Sequence, residues 1–204
     1  MTGIFNPAIF NPPWMAGQLF GMPAGHTLNI VVADGLGPGG ATAFISGVGV
    51  SVGTNRLELF AASGDDAAFD AVEAIALKIV EVLPHTPLGA LGINFGFHDN
   101  EPTDQIEPLF GTGEKLEEKF TVNERAMRAQ LAADDGTVLN IERTLNDEGF
   151  FVAINHHFPD LNPINATELL AGKLKSERDR AIQLCKDLFG YDEVGIETFP
   201  FPET

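Results

Sequence analysis

The spacing of apolar residues predicts two groups of β-strands, each accompanied by one long helix. Short runs in which apolar and polar residues alternate, bounded by Gly, Asp and Asn, are typical of strands joined by tight turns. The last three runs are separated only by short turns and predict an antiparallel meander. The predicted strands lie at 27–34, 43–52, 56–62, 88–98, 120–133, 137–145 and 149–158.

Two other segments place apolar residues three and four positions apart, which is the spacing of an amphipathic helix. The first begins at Asp65 or Asp66, where acidic side chains suit a helix N-terminus. The second is predicted at about 167–189, with Asn165 as its N-cap and Gly190 as its terminator. We interpret the charged run of the second helix, KLKSERDR, as a solvent-exposed surface.

This order of elements predicts an α+β protein. We expect two similar lobes, each an antiparallel sheet of about three strands carrying one long helix. The N-terminal segment is expected to be extended, because Pro7, Pro12 and Pro13 disfavour helix and central strand. The predicted segments are an extended apolar arm at 1–26, a first βββαβ lobe at 27–98, an acidic connector at 99–119, a second βββα lobe at 120–190 and a C-terminal tail at 191–204.

The composition restricts the class of partner. The chain has 204 residues, 44% of them apolar, and a formal net charge of −17 from 29 acidic and 12 basic residues. The apolar content predicts a packed core. The acidity argues against direct binding of nucleic acid or of anionic membranes, which both require clustered Lys and Arg. It permits a basic protein as partner.

Several features predict a cytoplasmic location. The first residues, MTGIFNPAIFNPPWMAG, lack the basic start of a secretory signal, and no long apolar run predicts a membrane-spanning helix. The only cysteine, Cys185, has no intramolecular partner for a disulfide, which fits a reducing compartment. Because it falls on the apolar stripe of the second helix, we interpret Cys185 as a core residue.

The stretch GLGPGG at 35–40 matches the dinucleotide-binding pattern G-x-G-x-x-G, but we interpret it as a hairpin connection. The pattern needs a helix to begin after the glycines, so that backbone amides meet a pyrophosphate. Here the next residues, ATAFISGVGVSV, are typical of a strand. The sequence also lacks P-loop, GxSxG and HExxH motifs. We therefore predict no cofactor.

Histidines end two predicted strands, in INFGFHD and in FFVAINHHFPD. If these strands are neighbours, His98, His157, Asn94 and Asn155 share one face, with Asp160 at its rim. Such a cluster could hold a metal ion or support acid–base chemistry, which gives a metal-dependent hydrolase as an alternative function. The simpler interpretation, which we favour, is that these side chains are polar strand ends in contact with water.

Three short motifs lie in the first half of the chain: Arg56-Leu57-Glu58-Leu59, Phe69-Asp70 and Leu91-Gly92-Ile93-Asn94-Phe95. With them, this part of the chain resembles a widespread bacterial family of uncharacterised proteins, in which a helix precedes a strand reading Leu-Gly-Leu-Arg-Tyr-Ile-Asn. This chain has Asn94 and Phe95 where the family has Arg and Tyr. The resemblance implies a protein without catalytic motif that works beside partner proteins, for instance in toxin–antitoxin or defence modules.

The sequence therefore predicts a non-enzymatic, acidic protein–protein interaction module of a bacterial multi-protein system. The expected partner is another protein, for which a basic one fits the charge, or further copies of the chain. A structural subunit of a larger assembly is a further alternative. We expect binding through a sheet edge, the apolar arm or the C-terminal tail. The aromatic residues expected to contact the partner are Phe5, Phe10, Trp14, Phe199 and Phe201.

Overall fold

The structure, a computed structural model, combines helices with two antiparallel sheets, so the predicted α+β class is confirmed. It describes residues 1–23, 31–34, 41–102, 104, 106–110 and 121–190. The GLGPGG stretch, the first residues of the strand predicted at 27–34, most of the second half of the acidic connector and the C-terminal tail lie outside the described residues. Among the residues described, no helix has the length and apolar character needed to cross a membrane.

The described residues contain nine β-strands and four α-helices. The strands are β1 Thr2–Gly3, β2 Val31–Asp34, β3 Ala41–Ile45, β4 Val48–Val52, β5 Leu57–Ala61, β6 Leu88–Asp99, β7 Glu124–Ala132, β8 Val138–Asn146 and β9 Gly149–Phe158. The helices are α1 Pro12–Trp14, α2 Asp66–Val82, α3 Ala166–Leu170 and α4 Lys173–Phe189. The strand order is β2-β3-β4-β5 in the four-stranded sheet and β1-β6-β9-β8-β7 in the five-stranded sheet.

The chain forms two compact units. Unit 1 holds Met1–Leu91 and Phe158–Ser176, and with them the four-stranded sheet, β1, α2 and α3. Unit 2 holds Gly92–His157 and, among the described residues, 177–190, which together include β7, β8 and most of β9 and α4.

The segment predicted as one strand at 43–52 is a hairpin of β3 and β4 in unit 1. Ser46 and Gly47 have φ angles of 50° and 79°, and Ile45 pairs with Val48 across them. Two residues with positive φ form the tight turn whose twist matches that of paired strands. The prediction of one strand was wrong because the apolar alternation continues through the turn.

Helix α2 begins and packs as its sequence predicts. The Asp65 carboxylate accepts a hydrogen bond from the Ala68 amide at 2.9 Å, and the Ser63 hydroxyl donates to it at 2.7 Å. These two hydrogen bonds, that of Ser63 first, lower the pKa of Asp65. Helix α2 packs against β4 and β5. Its buried residues are Phe69, Val72, Ile75, Ala76, Ile79 and Val80.

The N-terminal segment is not an extended arm. After β1 it forms a 3₁₀ turn at Pro7–Ile9 and then α1, which continues as a π-helical turn at Met15–Leu19. The reason lies in the repeated IFNP sequence. The Asn6 and Asn11 side chains each cap the turn that follows. The proline after each asparagine occupies the first turn, where a missing amide costs nothing.

The helix predicted at 167–189 is two helices in the structure. Gly172, with a φ of 71°, separates α3 from α4. A positive φ stops a helix and favours glycine. In unit 1, the Glu73 carboxylate of α2 accepts hydrogen bonds from the Gly172 amide at 2.7 Å and the Leu174 amide at 3.4 Å. A carboxylate from another helix therefore caps the N-terminus of α4, where negative charge is favourable.

Unit 2 is built on an unbroken antiparallel register from β7 through β8 to β9. Alternate residues of β9 are buried, as expected for a strand with one covered face. On that face Phe150 contacts Phe189 of α4 with ring centroids 5.4 Å apart. Cys185 is also buried, and burial raises the pKa of its thiol to about 12. The interpretation of Cys185 as a core residue is confirmed.

The Glu73 cap gives a testable prediction. We expect Glu73→Ala to lower the free energy of unfolding by about 1.5 kcal/mol, because two amides at the start of α4 lose a charged acceptor. Urea unfolding followed by circular dichroism measures the difference. Glu81→Ala is the matched control, since Glu81 lies on the same helix and contacts Lys78 near the surface. Equal effects of the two substitutions would contradict the role given to Glu73.

Candidate functional site

Four amide side chains form a hydrogen-bonded row across the exposed face of the sheet in unit 2. Gln130 donates to Asn140 at 2.9 Å, Asn140 donates to Asn155 at 2.9 Å, and Asn155 donates to Asn94 at 2.7 Å. The row follows the register, because Gln130 lies opposite Asn140, and Asn140 lies opposite Asn155. Each amide still has donor or acceptor capacity toward solvent. We call these four residues the amide row.

A shallow concavity of about 470 Å³ lies on the amide row. Beside the row, Arg128 of β7 donates to Glu142 of β8 at 2.7 Å. This hydrogen bond and the charge of Glu142 raise the pKa of Arg128. Ala153 follows on β9, opposite Glu142, and its small side chain leaves room above the sheet. The concavity therefore presents amide groups and one Arg–Glu pair among apolar side chains, and it is close to neutral in charge.

The predicted cluster of His98, His157, Asn94, Asn155 and Asp160 forms only in part. Asn94 and Asn155 are in contact, as the shared face predicted. Asp160 is exposed, and its carbonyl oxygen accepts a hydrogen bond from the Asn165 side chain.

The two histidines of that cluster are far apart. His98 stacks on Phe151, with ring centroids 4.0 Å apart, and its Nε2 lies 3.1 Å from the Glu148 carbonyl oxygen. His157 lies six residues beyond Phe151 on the same strand, opposite Val138. At about 3.3 Å per residue, this separates the two imidazoles by about 20 Å. They cannot ligate one metal ion, since each metal–nitrogen bond is only about 2 Å long.

Metal-ligating side chains do not gather elsewhere in the described part of the chain, where no group of three or more His, Cys, Asp and Glu is placed to hold an ion. The hydrolase alternative depended on the convergence of His98 and His157. The prediction that they converge is wrong, because the two residues lie at opposite ends of the paired strands.

The buried ionisable pair of unit 2 consists of His156 and Glu177. His156 is 0% exposed, and its Nδ1 lies 2.6 Å from Oε2 of Glu177, which is 4% exposed. Arg180 lies 3.7 Å from the same carboxylate oxygen, and the Phe95 ring meets the His156 ring edge to face at 6.1 Å. The pair links β9 to α4 through the core of the unit.

The interpretation of KLKSERDR as a solvent-exposed surface was wrong at Glu177. The signal was present in the sequence, because Glu177 lies three residues after Leu174 and four before Ala181, both of which are buried. In the same way, His156 alternates with Ile154 on the inward face of β9. A histidine and a carboxylate on two inward faces are the pattern that sequence reasoning missed.

The aromatic residues expected to contact a partner are placed differently from the prediction. Phe5 and Phe10 are buried in the chain itself, with exposed fractions of 5% and 8%. They belong to the core of unit 1. Trp14 is half-buried and meets Phe10 edge to face at 5.1 Å. Phe199 and Phe201 lie outside the described residues.

Strand β7 is exposed along almost its whole length. It ends the five-stranded sheet, and β8 is the only strand partner it has among the residues described. Eight of its nine residues are exposed, so that both faces contact solvent. Met127 and Leu131 on one face are 43% and 49% exposed. The sequence predicts this strand, but its pattern does not indicate that no other described segment covers it.

No protein-family model, no curated protein and no solved structure matches this chain. The resemblance to the bacterial family stays a prediction.

The buried pair gives the next prediction. We expect Glu177→Ala to lower the free energy of unfolding by about 3 kcal/mol, because His156 then loses its partner in a site that water does not reach. Urea unfolding again provides the measurement.

Two further variants make this test specific. Asp187→Ala removes an exposed carboxylate of the same helix and should change stability by less than about 0.5 kcal/mol. The double variant His156→Phe with Glu177→Leu replaces the pair by apolar side chains and should recover most of the loss. A Glu177→Ala protein as stable as the unsubstituted chain would contradict the energetic role of the pair.

Proposed function

We propose that this protein is a non-enzymatic interaction module that binds another protein through the free edge of β7. The observation that carries the proposal is a nine-residue strand with exposed faces and one free edge among the residues described. The backbone amides and carbonyls of a free edge alternate in direction, and those that point outward can pair with an added strand.

Several features of β7 favour strand addition. It contains no proline, and its register with β8 is regular from Glu124 to Ala132 without a bulge. Prolines and bulges are two of the devices that prevent edge pairing, and β7 has neither, although it does carry charged side chains, which are a third. Met127 and Leu131 add apolar contacts on one face of the edge. Pairing there would supply backbone hydrogen bonds together with side-chain contacts.

The remaining parts of the proposal follow from composition and resemblance. A net charge of −17 favours a partner of basic character and speeds its approach at low salt. The lone buried thiol fits a cytoplasmic protein. The resemblance implies a bacterial toxin–antitoxin or defence module as the setting.

We also propose that the fold consists of two similar lobes, each a sheet with one long helix. The helices α2 and α4, one long helix beside each sheet, support it.

A pulldown from the native host with edge variants tests the proposal. Leu131→Lys places a charge on the edge strand, and Leu188→Lys places the same charge on α4. The two leucines are a matched pair, since both are 49% exposed. We expect the unsubstituted chain and Leu188→Lys to recover the same partner, and Leu131→Lys to recover at least about tenfold less, a loss of about 1.4 kcal/mol.

The test depends on the amounts of partner that the variants recover, and capture of a protein is not by itself the result. A partner recovered equally well by Leu131→Lys would show that binding does not use β7. Circular dichroism of both lysine variants verifies that each is folded as the unsubstituted chain is.

A further inference from the structure

We infer that the strand added at β7 belongs to a second copy of this chain, in an antiparallel register centred on Ala129. The inference rests on the proposed function of the β7 edge and names its occupant. It is carried by a symmetry in the sequence of β7, by its exposed apolar side chains and by its charge.

The last seven residues of β7, AMRAQLA at 126–132, have the same order of apolar and polar residues in both directions. A twofold axis through an antiparallel strand pair places residue i of one copy opposite residue j of the other, and j opposite i. With the axis at Ala129, the two Ala129 residues face each other. Met127 then lies opposite Leu131, and Arg128 lies opposite Gln130. In this register apolar residues therefore face apolar residues, and polar residues face polar residues.

The pairing would cover the two large apolar side chains that are exposed on β7. Met127, Ala129 and Leu131 lie on one face of β7, opposite Arg143, Ile141 and Leu139 of β8. In the centred register each exposed Met127 contacts a Leu131 from the other copy on that same face. Directly opposed apolar side chains are the unit of stabilisation between strands. Two such contacts form for each dimer, one on either side of the axis.

The opposite face would continue the polar surface of the amide row. Gln130, the first member of that row, comes to lie beside Arg128 of the second copy. Arg128 already donates to Glu142 within its own chain, and its remaining N–H groups can donate to the Gln130 carbonyl oxygen. The amide rows of both copies would then lie on one continuous sheet.

Charge disfavours one of the two neighbouring registers. An axis at Arg128 would place two guanidinium groups directly opposite each other, which is unfavourable. Strand β7 carries Arg125 and Arg128 against one acidic residue, Glu124, in a chain whose net charge is −17. The strand itself therefore adds no net negative charge to a contact between two acidic chains. Because the whole molecules still repel, salt should strengthen the pairing.

Cysteine cross-linking tests the register directly. The native Cys185 is buried, so new cysteines on β7 react alone. We expect Ala129→Cys to form a disulfide-linked dimer under mild oxidation with copper phenanthroline. Met127→Cys and Leu131→Cys should each fail to link to themselves, and should link to each other when mixed. Leu188→Cys on α4 is the exposed control that stays unlinked.

Sedimentation velocity tests the association itself. We expect the unsubstituted chain and Leu188→Lys to form dimers, with Leu131→Lys at least tenfold weaker, and a dimer that strengthens as salt is raised from about 50 to about 500 mM. Under reducing conditions Ala129→Cys should sediment as the unsubstituted chain does, which shows that the substitution preserves the fold.

Two results would overturn this inference. One is an unsubstituted chain that stays monomeric at about 100 μM, a concentration at which even weak specific pairs form. The other is a dimer that Ala129→Cys does not link. If either result is obtained while the host partner still depends on Leu131, the proposed function stands and only the second copy is wrong. If the host partner is also insensitive to Leu131→Lys, both fail.

Discussion

The antiparallel register of β7, β8 and β9 is the constraint on which the rest of unit 2 depends. It runs without a bulge along all nine residues of β7 and of β8. Because side chains alternate between faces, the register alone decides that Asn155 points outward and His156 inward. A slip by one residue would exchange them, exposing the histidine and burying the amide. The amide row and the buried pair are therefore two consequences of one register.

The two polar groups enforce this register from opposite faces. Inside, the His156 imidazole and the Glu177 carboxylate lie within 2.6 Å only when β9 and α4 keep their present alignment. Outside, the hydrogen bonds of the amide row form only when β7, β8, β9 and β6 keep their present register. Neither group adds much net stability, since burial of charge and competition with water offset the attraction. Their contribution is to give one strand alignment a lower free energy than the alignments shifted by one residue. In this alignment β7 keeps a regular register with β8 at the end of the sheet.

Local pattern predicted the elements whose signals are local. The stripe of α2 and the alternation of β9 both repeat within a few residues, so the amino-acid sequence alone assigns their faces. The same reasoning failed where the backbone conformation of one or two residues ends a strand or a helix. Ser46 and Gly47 turn the chain between β3 and β4, and Gly172 divides the last helix. Asparagine followed by proline begins helical turns in the N-terminal segment, although the prolines there predict an extended chain.

Burial of polar residues and exposure of strands could not be predicted, because both depend on residues distant in sequence. Glu177 is charged and lies in a charged run, yet His156 of β9 makes its burial tolerable. Met127 and Leu131 belong to a strand with an ordinary pattern, and their exposure follows from the absence of a covering layer in the described residues. The predicted histidine cluster is correct in one part and wrong in another. Asn94 and Asn155 share a face and are in contact, as predicted. His98 and His157 lie at opposite ends of the paired strands and do not meet.

We propose that the edge of β7, unpaired among the described residues, is the surface through which this protein recognises another chain. Amide hydrogen exchange along β7 measures this, because every second amide points away from β8 and pairs with no strand that the structure describes. We expect these alternate amides to exchange quickly in dilute protein and to become protected when a partner chain is bound. Fast exchange at these amides with the partner bound, or protection confined to another surface, would contradict it.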